Sequence, residues 1–164
     1  MVQPALFSSE NTAWNTPSPV LYRVCSTYGP VGLDPCSNPQ SIVGAAVEWS
    51  LENGDDGLAS PWGELGPVFC NPPYSRGVID TWAAKMALEG ALGAEIIGLI
   101  PARVDTNWFR SVYTAQAICF WAGRIKFLGA ASGAPFPSAL PYFGPNVGRF
   151  YEAFKDAGKV LILD

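Results

Sequence analysis

With 164 residues, 49% hydrophobic and 15% charged, the chain suits one globular domain that buries roughly two-thirds of its unfolded surface. It has no histidine, and its four cysteines (Cys25, Cys36, Cys70 and Cys119) include no CxxC pair. That excludes ordinary zinc centres and a histidine general base, and argues for reduced thiols in a cytoplasmic compartment. Net charge is −4 but unevenly spread: residues 1–70 carry one cation (Arg23) against seven acidic side chains, residues 71–164 nine cations against seven. This permits a nucleic-acid partner met by the second part of the chain; ordinary surface charge explains it equally well.

The first 13 residues are polar and aperiodic and read as a flexible tail without signal-peptide form. No apolar run reaches the roughly 20 residues of a membrane helix, so a soluble, non-exported protein is expected. Thr16-Pro17-Ser18-Pro19 opens a helix that runs to about Tyr28 and is closed by Gly29-Pro30. Val31-Gly32-Leu33-Asp34 reads as a short buried strand leading into loop residues Pro35 to Pro39. Residues 42–51 show no decisive pattern, and Asn53 to Gly57 form a turn.

Val68-Phe69-Cys70 is a strand that ends at Asn71. Ile79, Trp82, Ala83 and Met86 lie at i, i+3, i+4 and i+7, one face of a helix over 77–88 with Ser75 as N-cap. Ile96 to Ile100 is a continuous apolar run, the pattern of a strand buried on both faces. Asp105 caps a short helix through Tyr113. Residues 117–121 and 124–128 read as strands paired around Gly123, and the Gly/Ala/Ser/Pro-rich stretch 129–137 as a mobile loop. Residues 140–143, a helix near 147–154 and a strand at 160–163 complete the chain. The alternation predicts an α/β sandwich with a mostly parallel sheet, one domain over 14–164.

In such a sheet, ligands gather beyond the carboxyl ends of the strands. Two strands end in a polar residue followed by proline: Leu33-Asp34-Pro35 and Cys70-Asn71-Pro72. In Asn71-Pro72-Pro73-Tyr74 the asparagine supplies a carbonyl acceptor, and the prolines hold the next backbone carbonyl in one extended direction. Two converging acceptors satisfy both hydrogens of an exocyclic NH₂ and leave its lone pair free to attack a sulfonium methyl. Tyr74 offers a flat face on which a flipped-out base can stack. Such catalysis is positioning and electrostatics and needs no strong base. Read as bare sequence, Pro-Pro-Tyr is otherwise a structural turn or a proline-rich ligand.

The series Trp14-Asn15-Thr16-Pro17, Leu33-Asp34-Pro35-Cys36, Asp56-Gly57-Leu58 with Trp62, and Asn71-Pro72-Pro73-Tyr74-Ser75 resembles the phage-type Dam family of DNA N6-adenine methyltransferases. Leu99 to Thr106 with Trp108-Phe109, Gly123 to Phe127, and Ala134 to Ser138 extend the resemblance over about residues 14 to 143. It implies a compact Rossmann-like class I methyltransferase sandwich using S-adenosylmethionine, with DNA as partner and no metal. It further implies that Trp14, Thr16 and Pro17 border the methionine end of the cofactor, and that Asp34 with Pro35 belongs to its motif. Asp56, Gly57 and Leu58 would read the cofactor's adenine ring, and Asn71 through Tyr74 would bind the target adenine. Ser75 and Arg76 would adjoin DNA; Arg103, Arg124 and Lys126 either contact its phosphates or organise the site internally.

Two departures bear on this. The glycine-rich turn usual after the first strand is replaced by Cys36-Ser37-Asn38-Pro39, and no separate target-recognition domain follows the motif. Pro35-Cys36 stands after the first strand and not in the slot of a cytosine-C5 nucleophile. An N4-cytosine or a protein glutamine amide offers related chemistry, and an inert DNA-binding phage protein is the non-enzymatic alternative.

Overall fold

The structure, a computed structural model, describes residues 14–164; the expected tail lies outside them. Helix α1 (Ser18–Tyr28) follows Pro17 and carries Pro19 in its first turn, where a missing N–H costs nothing. Its buried stripe is Val20, Leu21, Val24 and Thr27, and Gly29 at φ 85° ends it. Strands β1 (Leu33–Asp34), β2 (Val47–Glu48), β3 (Val68–Cys70) and β4 (Ile96–Gly98) pair in parallel in the spatial order β2-β1-β3-β4.

Beyond β4 the pairing turns antiparallel. Strand β5 (Ile100–Pro101) and β4 both pair with β7 (Ser138–Phe143), and β6 (Ala117–Trp121) lies between β7 and the edge strand β8 (Gly158–Ile162). Because β7 opposes β4, β5 and β6, and β8 opposes β6, strands β1 to β6 all run in one direction. The sheet is thus mixed, mostly co-directional, as a Rossmann-like class I methyltransferase sandwich requires. Their carboxyl ends share one edge. Helices α1 and α4 (Val147–Phe154) cover one face around Val24, Phe69, Ile97, Phe150 and Phe154. Helices α2 (Ile79–Ala91) and α3 (Phe109–Val112) cover the other around Trp82, Met86, Ile96 and Phe109. Gly98 permits this close packing: a Cβ there would lie 2.7 Å from the Met86 sulfur.

Several local expectations are corrected. Helix α2 begins at Ile79 and has no side-chain cap; the Ser75 carbonyl, not its hydroxyl, receives the Val78 and Ile79 amides, and Gly77 at φ 81° interrupts helical geometry before it. Asp105 does not cap α3, a single turn that starts four residues later. Residues 124–128 are not a strand, because both edges of β6 are already taken by β7 and β8. That segment crosses over the strand ends, burying Ile125 and Phe127, and meets the return chain through Ala134 N–H to the Ile125 carbonyl (2.9 Å). Within the stretch 129–137, Ala134 and Phe136 are buried against the core while most of its other residues are exposed.

Candidate active site

Parallel register brings the polar strand ends together. The pairing of Leu33 with Val68 aligns β1 with β3, so the residues that follow Asp34 and Cys70 emerge side by side. One cavity at this edge is lined by Trp14, Thr16, Asp34, Asn71, Pro72 and Pro73, all singled out from sequence. Asn15, Cys36 and residues from the loop at 37–43 complete its wall.

Asn71 is held on three sides. Its Nδ2 donates to the Trp14 carbonyl at 2.5 Å and to Thr16 Oγ1 at 2.9 Å. Its Oδ1 lies 2.6 Å from the Tyr74 hydroxyl, which is also 3.0 Å from the Leu99 carbonyl. The Tyr74 ring does not line the cavity. It packs T-shaped against Phe127 and Phe136 at centroid distances of 6.4 and 5.4 Å. Burial pushes the Tyr74 phenol well above its ordinary pKa, and it stays a neutral donor.

Asp34 is buried, and its Oδ1 accepts the Cys36 amide at 3.1 Å. Loss of hydration raises its pKa from 3.8 to about 7, against the lowering effect of that hydrogen bond. The nearby Glu48 carboxylate, opposite Asp34 in the β1–β2 register, raises it further. A hydrogen bond from the Ser37 side chain also works to lower it. A cavity wall bearing a desolvated carboxyl fits a cationic ligand such as an amino-acid ammonium or a sulfonium.

Glu48, unnoticed in the sequence because residues 42–51 lack periodicity, closes the neighbouring strand; it is exposed and does not line the cavity, and its observed effect is the charge it sets beside Asp34. Cys36 and Cys70, distant in sequence, lie with sulfurs 3.9 Å apart, and the Cys36 thiol donates to the Asn71 carbonyl at 3.2 Å. Burial raises the Cys36 pKa well above the usual thiol value, so the group is a packed hydrogen-bond donor and not a nucleophile.

The remaining expected residues do not line this cavity. Pro17 precedes α1, and Pro35 is buried beneath the 56–58 turn. A Cβ on Gly57 would fall 2.0 Å from the Pro35 carbonyl oxygen, so the two backbones touch. Asp56 is exposed and its Oδ1 accepts the Leu58 amide at 2.9 Å, while Leu58 is partly buried. Ser75, Arg76, Arg103, Arg124 and Lys126 are all exposed, on segments that follow co-directional strands. Among the described residues no group of His, Cys, Asp and Glu is arranged to hold a metal, and no helix is long and apolar enough to cross a membrane.

A sheet of this order, with a carboxyl-lined cavity beside an Asn-Pro-Pro corner, defines a Rossmann-like class I methyltransferase fold. The chain belongs to the DNA N-6-adenine-methyltransferase (Dam) family, whose profile matches residues 4–139. It is 26% identical over 136 residues to the DNA N-6-adenine-methyltransferase of Escherichia phage T1, an alignment covering 73% of this chain. The chain spans 55% of that relative's length. No solved structure matches it.

Proposed function

We propose that the protein transfers a methyl group from S-adenosylmethionine to the exocyclic N6 amine of an adenine swung out of DNA. The observation that carries this reading is the shared cavity: Asp34 and Asn71-Pro72-Pro73 face the same space, so a cationic donor and an amine acceptor can meet there. Family membership supports both the cofactor and the base.

The bound cofactor supplies an electrophilic methyl group; the chain's own residues do the positioning. Asp34, once ionised, balances positive charge in the cavity. Asp56 and the Leu58 backbone and side chain present the turn that would read the cofactor's adenine. Asn71 Oδ1 accepts one hydrogen of the target amine and the Pro72 carbonyl the other, which directs the nitrogen lone pair at the methyl carbon. As the N–C bond forms and the S–C bond breaks, one amine proton leaves to water, and a general base of high pKa is unnecessary. The exposure of Arg76, Arg124 and Lys126 supports a role in meeting phosphates, with Arg103 organising the same edge.

The test is incubation of the purified chain with methyl-labelled cofactor and unmethylated DNA, followed by nucleoside analysis. Label in N6-methyladenine is the expected result. Label in N4-methylcytosine, label only in protein glutamine, or binding to DNA with no transfer would each replace the proposal with another reading.

A further inference from the structure

We infer that Thr16 is a positioning residue for Asn71: it holds the second hydrogen of a carboxamide whose sense the Trp14 carbonyl fixes, so that the oxygen stays aimed at the substrate amine. The inference rests on the proposed methyl transfer but is not part of it. A carboxamide has two faces of nearly equal shape and opposite hydrogen-bond polarity, and turning it over would present donors to a donor. Here both amide hydrogens have acceptors: the Trp14 carbonyl at 2.5 Å and Thr16 Oγ1 at 2.9 Å. On the other side the Tyr74 hydroxyl donates to Oδ1 at 2.6 Å. Inverting Asn71 would set its oxygen against the Trp14 carbonyl, which can only accept, whereas the Thr16 and Tyr74 hydroxyls could serve either orientation; the carbonyl fixes the sense of the amide and Thr16 holds its second hydrogen. An sp² oxygen has two lone pairs, and one remains for the substrate.

The acceptors come from a segment with its own anchors. Trp14 packs edge-on to Phe127 and Phe136 at 5.4 and 5.3 Å, and the Asn15 carbonyl receives the Leu128 amide at 3.0 Å. Asn15 Oδ1 also accepts from Asn38 Nδ2 at 2.8 Å. Thr16, 3% exposed, therefore stands at a fixed place beside the carboxamide. The family resemblance implies a cofactor contact for this residue, which lines the cavity; the hydrogen bond adds a tie to Asn71.

Thr16→Val keeps the side chain's shape and removes the acceptor. With saturating cofactor, kcat is expected to fall about 10²-fold, the size of loss typical when a reacting group is misplaced. The fall in kcat should exceed any loss of cofactor affinity measured by calorimetry, and Thr16→Ser should restore most of the kcat, because the lost element is one hydroxyl. A weakened Kd with unchanged kcat, or no change in either, overturns the inference. Asn71→Ala run in parallel separates the two claims: if it too remains active, the transfer mechanism itself fails, whereas an inactive Asn71→Ala beside an active Thr16→Val defeats only the positioning role. Should Thr16→Val not fold, the side-chain amide hydrogens of Asn71 in the native protein decide the matter by NMR. Two separate, exchange-protected signals support the lock, and rapid exchange of both rejects it.

Discussion

Asp34 offers the sharpest test, because its environment makes opposite demands on folding and on ligand binding. Asp34→Asn is nearly isosteric and keeps an oxygen for the Cys36 amide. In the folded protein the native carboxyl titrates near 7, against 3.8 for the exposed group. Below about pH 4 it is protonated in both states and costs nothing. Between about 4 and 7 the unfolded chain ionises while folded Asp34 stays neutral, so stability falls as pH rises; above 7 both states are charged and the penalty is constant. At 1.36 kcal/mol per unit, the full penalty is at most about 4 kcal/mol. Denaturant unfolding at pH 5 and 8 should show Asp34→Asn more stable than the native protein at pH 8, the difference shrinking toward pH 5. Cofactor binding should run the other way. Only about a tenth of Asp34 is ionised at pH 6, so native affinity should strengthen roughly tenfold by pH 8. The variant carries the cofactor's own titration and should lack that added slope. Parallel pH profiles for the two proteins, in stability and in affinity, would refute the assignment of a desolvated, cavity-facing carboxyl.

Asn71→Ala should lower kcat by about 10² to 10³, as loss of one preorganised hydrogen-bond partner does elsewhere. It should also cost about 1–3 kcal/mol in denaturant melts, since the Trp14 carbonyl loses its partner and the Tyr74 hydroxyl keeps only the Leu99 carbonyl; near-native turnover would remove Asn71 from the chemistry. Asp56→Ala should weaken cofactor binding by calorimetry more than DNA binding by fluorescence anisotropy, and unchanged cofactor affinity rejects its place in the adenine-reading turn. Gly57→Ala forces apart two backbones that touch, which should lower stability by about 1–3 kcal/mol and loosen cofactor binding; an unshifted thermal midpoint would contradict the contact with Pro35.

How much of this was legible beforehand follows from the range of each signal. Strands β1, β3 and β4, helix α1 and the buried face of α2 were readable because periodicity, proline and glycine act over a few residues. Asn71-Pro72-Pro73 was readable for the same reason, since the prolines restrict their own backbone wherever the chain folds. Strand β2, and with it Glu48, escaped notice: two residues carry no period, and the strand exists only because β1 supplies its ladder. The segment 124–128 looked like a strand and had the composition for one, but β7 and β8 had filled both sides of β6.

What the amino-acid order alone determined, then, is local: which stretches can be helix or strand, and that an acceptor stands beside a rigid proline pair. Only tertiary packing decided that Asp34 loses its water and titrates near 7, that Tyr74 turns its ring into Phe127 and Phe136, and that Trp14 and Thr16 reach Asn71. Desolvation and hydrogen bonds between residues more than fifty positions apart depend on where the whole sheet puts them, and no short window of sequence contains that information.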